Sequence, residues 1–460
     1  METRRRFIGT ILLFLGAVVG AITTQINPID DGDQTQPESD EKEESDERTD
    51  QTPPTAEEES VLNVLDYGAV GDGSADDTRA IQDAIDDATD GETVHLPAGT
   101  YSIDRTGNER SVLRIDGDRH ANDLTVTGDG SETVLELSDD VADSYYVLSV
   151  ANPKDYSLLL RDMVLDGNRD SWDEEFSTGH GLVFRQPDAD GPGDIVAEDM
   201  EVRNCGQIGI IVQYGGVTLR RVTSHHNYRH GIAVTTTKSG VHDPPPKLQR
   251  CHIYQNGLMG DSGRGLNFHG GKGVVEDTVI EGNQGSGGTK ISTEAIEFTY
   301  RRVRIQNCDS REIYQTTNPP DGAKVTFEDF IGQNNTGYMR VANAYHHVPE
   351  NSELVITNCG RDVTEEGQIF ITGDAAFEAE GDVYSNRANG LAGISAWNVS
   401  ESSYIRNYYH YGNDGGPIGR LDNLLVENEE NRDRTDIANV PTARFVGAWS
   451  RPVRFPPVPG

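Results

Sequence analysis

From about residue 155 the apolar positions recur in short clusters every 20 to 30 residues. Each unit holds a short strand, an Asn- or Gly-rich turn, and a second strand often entered through glycine. Leu158 to Gln186 carries Asp166-Gly167-Asn168 in its turn and Gly181-Leu182-Val183-Phe184 in its second strand. That strand returns as Gly209-Ile210-Ile211-Val212, Gly231-Ile232-Ala233-Val234 and Gly265-Leu266-Asn267-Phe268. Weaker copies run through Thr289-Lys290-Ile291, Ile313-Tyr314-Gln315, Met339-Arg340-Val341 and Ile369-Phe370-Ile371. Helical repeats would need long 3.6-period stretches, and propeller blades about 40 residues with four strands each. Very short strands with Asn and Gly corners instead predict an all-β parallel β-helix. About twelve coils, stacked at ~4.8 Å, would fit between residues 100 and 425.

The segment before the repeat has its own signature. Asn63-Val64-Leu65-Asp66-Tyr67-Gly68-Ala69-Val70-Gly71-Asp72-Gly73 leads into Asp76-Asp77-Thr78-Arg79-Ala80-Ile81-Gln82, and Val94-His95-Leu96-Pro97-Ala98-Gly99-Thr100-Tyr101 follows. Over residues 61–103 this resembles the opening of the pectate lyase-like (rhamnogalacturonase and epimerase-like) superfamily. The resemblance implies a single-stranded right-handed parallel β-helix and polysaccharide chemistry, without fixing one reaction. A helix beginning near Thr78, capped by Asp76 or Asp77, would present Ala80, Ile81, Ala84, Ile85 and Ala88 on one face and close the open end of the solenoid.

Aligning the repeated strands by their apolar residues gives three outward columns over eight coils. The first reads His180, Ile208, His230, Arg264, Gly287, Arg311, Gly337, Gly367; the second Val183, Ile211, Ala233, Asn267, Lys290, Tyr314, Arg340, Phe370; the third Arg185, Gln213, Thr235, His269, Ser292, Thr316, Ala342, Thr372. None of these positions is acidic, although composition alone would supply about four. The densest patch combines His230, Arg264, Asn267, His269, Lys290, Tyr314 and Arg340, with Lys272 in a neighbouring loop. Such a stripe fits an acidic polysaccharide, whose uronates present a carboxylate on each acidic sugar.

The chemistry suggested is proton abstraction at C5 of a uronate. Arg264 or Arg340 would neutralise the carboxylate. Lys290 or His269 would act as base, and Tyr314 would donate a proton to the leaving oxygen. His230, Asn267, Arg340, Lys272 and His180 would bind substrate. The result is a lyase or a C5-epimerase. Two other readings stay open: an inverting glycoside hydrolase and a non-catalytic glycan-binding surface module. Gly179-His180-Gly181 is similar to the Gly-His-Gly of polygalacturonases, but their Asn-Thr-Asp, Asp-Asp and Arg-Ile-Lys have no counterpart here. The Asp-Pro-His of alginate epimerases is also missing, with Asn267-Phe268-His269 in a comparable strand. No cofactor is required by these residues. Calcium is a candidate ligand of Asp166, Asn168, Asp170 and Asp173, with Glu174 and Glu175 beyond. No Rossmann or P-loop phosphate site is present.

Charge narrows the partners. Among 460 residues, 77 acidic side chains outnumber 39 basic ones, a net charge of −38, which argues against nucleic acid. Seven of the basic residues are lysine. Acid excess with scarce lysine reads as halophilic, of haloarchaeal type. Residues 1–26, with Arg4-Arg5-Arg6-Phe7-Ile8 before an apolar run, resemble a twin-arginine signal or a single membrane anchor. Residues 27–60 read as an acidic disordered linker, 61–425 as the β-helix, and 426–460 as a C-terminal cap or tail. The expectation is a monomer exported by the twin-arginine route, extracellular or at the cell surface. Cys205, Cys308 and Cys359 fall at similar corners of different coils, the last two about 10 Å apart, which predicts buried free thiols and no disulfide.

Overall fold

A computed structural model describes residues 60–105, 110–138, 145–151, 156–169, 179–185, 193–235, 244–258, 263–285, 287–291, 295–309, 312–316, 321–360, 367–372, 375–386, 393–399, 403–411, 418–421 and 424–431. The signal and nearly all of the acidic linker expected over residues 1–60 lie outside them. The chain winds into a right-handed parallel β-helix. Among the described residues every pairing between its strands is parallel, as in Leu182↔Ile210, Ile210↔Ile232 and Ile232↔Leu266. One face is a sheet of twelve strands, matching the coil number expected from the repeat. We number the coils by these strands: Ser111–Asp116, Tyr146–Ala151, His180–Phe184, Ile208–Val212, His230–Thr235 and Arg264–His269 are coils 1 to 6. Thr289–Ile291, Glu312–Thr316, Tyr338–Ala342, Ile369–Thr372, Ile394–Trp397 and Ile418–Leu421 are coils 7 to 12. The remaining strands build the other faces, and the last of them, Leu424–Asn431, carries the solenoid past residue 425.

Two corners explain the repeat. At the first, a non-glycine residue takes a left-handed backbone in coil after coil: Asp162, Asp199, Arg221, Arg250, Asp277, Arg302 and Asp329, with φ between 49° and 59°. Some neighbours in this stack carry opposite charge and pair, Arg221 Nε to Asp199 at 2.7 Å and Arg302 Nε to Asp277 at 2.6 Å. At the second corner Asn227, Asn256 and Asn283 stack, fully buried. Each amide oxygen accepts from the backbone N–H of the coil before, at 3.0, 3.1 and 2.9 Å. This ladder is why the next strand opens on glycine. A Cβ on Gly231 would stand 2.7 Å from Asn256 Nδ2 and 2.5 Å from Ile253 Cγ2.

Cysteines replace asparagine in the same corner. Cys205 precedes Asn227, and Cys308 and Cys359 flank Asn335, whose Oδ1 accepts from Cys308 N at 2.9 Å. All four cysteines are free and buried.

The helix Thr78–Asp87 buries Ile81, Ala84 and Ile85 against the first coils. Asp76 does the capping, accepting from Thr78 N at 3.1 Å. Asp77 instead turns inward and receives Val70 N and Gly71 N at 2.6 and 3.0 Å. Gln82 completes the closure: its side chain accepts from Arg114 N at 2.9 Å and donates to Arg114 O at 3.0 Å, standing in for a further strand at the sheet edge. Gln82→Ala is expected to lower stability by about 1–2 kcal/mol and to promote concentration-dependent self-association. Denaturant melts and light scattering across a dilution series check both.

Candidate functional site

The first two outward columns of the twelve-stranded face hold through coil 7; Ser292 of the third and Arg311 of the first lie outside the described residues. His180, Ile208, His230 and Arg264 are in register, and so are Val183, Ile211, Ala233, Asn267 and Lys290. In coil 8 the register moves by one residue: Thr289 pairs with Tyr314, and Lys290 with Gln315. A slip of one residue exchanges the two faces of a strand. Gln315 therefore takes the outward place expected for Tyr314, and Glu312 stands outward in the first column. Arg340 continues the second column opposite Gln315, and the pairing irregularity between these coils lies at Glu312–Tyr314 of coil 8.

Tyr314 thus cannot serve as a proton donor to substrate. Its side chain is 0% exposed and its hydroxyl meets His346 Nε2 at 3.1 Å in the core. His346 Nδ1 lies 3.0 Å from Ala344 O, so Nε2 accepts the tyrosine proton. Tyr314→Phe is expected to leave turnover unchanged and to cost about 1–2 kcal/mol of stability, read by parallel rate and urea-denaturation measurements. Lys272 is likewise displaced. It lies on the strand Gly271–Glu276 of another face, where it pairs with Glu297 and approaches it at 3.7 Å. Thr316 also faces inward, so the third column is broken at coil 8.

The structure brings His230, Arg264, Asn267, His269, Lys290, Glu312, Gln315 and Arg340 onto five adjacent coils. His230, Asn267, Arg264 and Glu312 are 4%, 3%, 7% and 8% exposed. His269 is exposed, Lys290 half-buried, and the Arg340 side chain 37% exposed. A polymer on this face would meet those three, with the others as backing. Asn267 Nδ2 is 3.5 Å from His230 Nε2, and Arg264 Nη2 donates to Gln315 Oε1 at 3.2 Å, two coils on. Glu312 Oε1 accepts from Arg340 Nη1 and from the Tyr338 hydroxyl, both at 3.3 Å. The expectation of an acid-free face fails at this residue.

Burial and neighbouring cations set the charges. Burial, then Arg229 and Arg264, push His230 down to about 3. Burial and Arg229 bring His180 to about 4. Both rings are neutral near pH 7, so neither adds to the positive charge that Arg264, Lys290 and Arg340 bring to the patch. Burial lowers Arg264 to about 10, with Glu312 pulling the other way. Lys290 is lowered by burial first and by Arg264 second, again opposed by Glu312. A lysine so placed reaches its neutral, proton-accepting form more readily than a free one. His180 shares the first column but sits three coils from Arg264, beside Tyr146 at 5.6 Å and an apolar patch of Val183, Ile208, Ile211 and Ala233.

Two further expectations meet the geometry here. Asp166 is buried and occupied by protein donors: Arg203 Nε at 2.6 Å, Asn168 N at 2.9 Å and Asn204 Nδ2 at 3.1 Å. It fixes a turn, while Asp170, Asp173, Glu174 and Glu175 lie outside the described residues. Among the described residues no group of three or more His, Cys, Asp or Glu side chains is placed to hold a metal ion. For hydrolysis by inversion, two carboxylates should stand 6.5–9.5 Å apart. Among the described residues of coils 1 to 9, acids on this sheet are Asp116 in coil 1 and Glu312 in coil 8, seven rungs or about 34 Å apart.

The opening coils match the family described as rhamnogalacturonase A/epimerase, pectate lyase-like, over residues 61–157. Particular relatives extend this to uronate-active proteins. Mannuronan C5-epimerase AlgE1 of Azotobacter vinelandii is 34% identical over 185 residues, which is 38% of this chain and 13% of that one. Alginate lyase 7 of the same organism is 33% identical over 184 residues, 37% of this chain and 20% of its own length. The chain therefore spans only a minor part of these curated relatives. In three dimensions the A-module of Azotobacter vinelandii mannuronan C5-epimerase AlgE4 superposes with a TM-score of 0.56 at 20% identity, covering 81% of this chain and 100% of that one. At that identity the likeness establishes the β-helix fold.

Proposed function

We propose that this chain acts on an acidic, uronate-containing polysaccharide, removing the C5 proton of a bound uronate as a lyase or a C5-epimerase. The observation that carries the reading is the half-buried Lys290 amine between Arg264 and Glu312, with its pKa lowered, on a face whose charge is cationic within a strongly acidic protein. The similarity to mannuronan C5-epimerases and an alginate lyase supports the substrate class.

Arg340, the accessible guanidinium, neutralises the uronate carboxylate and so acidifies the C5–H bond. Neutral Lys290 takes that proton, and the electron pair is held by the neutralised carboxylate. In elimination the pair then forms the C4–C5 double bond while the C4–O bond breaks. The departing oxygen takes a proton from an acid, a role we assign to the exposed His269. In epimerisation Lys290 keeps the proton it took while a proton drawn from solvent is added to C5 on the opposite face. Arg264, buried behind Lys290, keeps the amine's proton affinity low and does not need to touch the sugar.

Absorbance near 235 nm, followed in molar salt with calcium over a panel of uronate polymers, reports the unsaturated product of a lyase. Deuterium uptake at C5 from heavy water, without absorbance, reports an epimerase. Polymer binding with neither signal would replace this reading by that of a glycan-binding surface module. Release of reducing ends without unsaturation would replace it by a hydrolase. Export to the cell surface belongs to the same proposal, supported by the arginines ahead of the apolar N-terminal run. Recovery of the protein only from the cytoplasm would remove it.

A further inference from the structure

Among the described residues, Glu312 is the one acid set among the cations of this patch. It stands outward in the first column of coil 8, between Gly287 of coil 7 and Tyr338 of coil 9. A carboxylate this buried is tolerated when it is paired and hydrogen-bonded. Arg340 and the Tyr338 hydroxyl supply that pairing through the same oxygen. On the same strand Gln315 receives Arg264 from the other side. Coil 8 therefore ties down both arginines, and Lys290 sits on the rung before it.

We propose that Glu312 is an internal counter-anion of the cationic patch, a positioning and specificity residue that holds Arg340 until a substrate carboxylate displaces it. The identity of the incoming anion rests on the uronate reading above. The charged and titratable groups facing Lys290 are Arg264, His230 and His269 on the preceding strands and Glu312 with Arg340 on the following ones. Glu312 is the only negative member of that set among the described residues. A carboxylated sugar and Glu312 compete for the same guanidinium, so each arriving carboxylate must leave Glu312 without its ion pair. A sugar whose carboxyl is esterified brings no charge and does not take part in the exchange. The negative charge of Glu312 also favours the protonated form of Lys290, and its removal shifts the amine toward the neutral form.

The test uses Glu312→Gln, which keeps the shape and removes the charge, with Glu312→Asp as the conservative variant. Binding of a uronate oligomer by calorimetry is expected to tighten about tenfold in the Gln variant, the scale of one charged hydrogen bond. Binding of the methyl-esterified oligomer is expected to stay the same. Independently of any sugar, reductive 13C-methylation of the lysines, with the Lys290 signal assigned by Lys290→Arg, follows that amine by NMR. It is expected to titrate at lower pH in the Gln variant and close to the native position in the Asp variant. Unchanged oligomer affinity together with an unchanged Lys290 titration, in a variant with a native melting profile, would overturn the proposal. A shifted Lys290 titration in a protein that binds no uronate would keep the counter-anion role and remove the uronate reading.

Discussion

Replacing Lys290 by alanine is expected to lower turnover on a uronate polymer roughly 10²–10⁴-fold, the usual contribution of a positioned general base. KM should change little, because Arg340 and His269 remain to meet the polymer. Lys290→Arg should be almost as impaired, since a guanidinium stays protonated throughout the working range. The pH profile carries the same information. Burial and Arg264 lower the Lys290 pKa, and the active form is the deprotonated one. Activity should therefore rise with pH through that pKa, at lower pH than an ordinary lysine would give, and then level off. Steady-state rates for the native and variant proteins, at matched salt, decide the matter. An Ala variant with native turnover would remove Lys290 from the chemistry.

The largest stability effect is expected at Asn256. Its Oδ1 accepts from Asn227 N at 3.1 Å and from Asn227 Nδ2 at 2.9 Å, and its Nδ2 shares two hydrogens among Ser224 O, Tyr254 O and Asn283 Oδ1 at 2.9–3.0 Å. Truncation to alanine strands several of these groups in a corner without solvent. With about 1–3 kcal/mol for each unsatisfied group and partial relaxation, Asn256→Ala should cost roughly 3–5 kcal/mol. A urea midpoint within experimental error of the native one would show that the ladder contributes nothing beyond filling space. Because the backbone of each coil pairs only with that of its neighbours, the loss should open coils 4 to 7 first. Hydrogen exchange would locate it there.

Much of this architecture was legible because two features of the repeat constrain each other. The corner asparagine fills the volume where a Cβ of the next strand would go, so Asn and Gly recur together. His230-Gly231-Ile232-Ala233-Val234 and Arg264-Gly265-Leu266-Asn267-Phe268 both announce their register through that glycine. Coil 8 has no such mark. There Cys308 takes the ladder position, and Ile313 occupies the glycine position. Space for Ile313 is made on a different strand: a Cβ on Gly332 would lie 2.6 Å from Ile313 Cδ1. With Ile313 and Tyr314 adjacent and both apolar, alternation fits either register. The choice falls to packing of Tyr314 against Tyr300, Phe327 and Phe330. That long-range contact is what hid Glu312 and Gln315 and made Tyr314 look available. Lys272 was misplaced for a related reason: Gly270-Gly271-Lys272-Gly273 reads as a loop, yet Gly271–Glu276 is a strand on another face. Histidine charge was beyond pattern reading, because it depends on burial beside Arg229.

The four cysteines are held as thiols inside the solenoid. Burial pushes Cys251 and Cys308 up to about 12, so the reactive thiolate is nearly absent at neutral pH. Maturation of this protein therefore calls for no oxidant and gives a disulfide isomerase nothing to correct. Its native state should be reached equally well in a reducing or an oxidising compartment, and reductants should leave its melting temperature where it is.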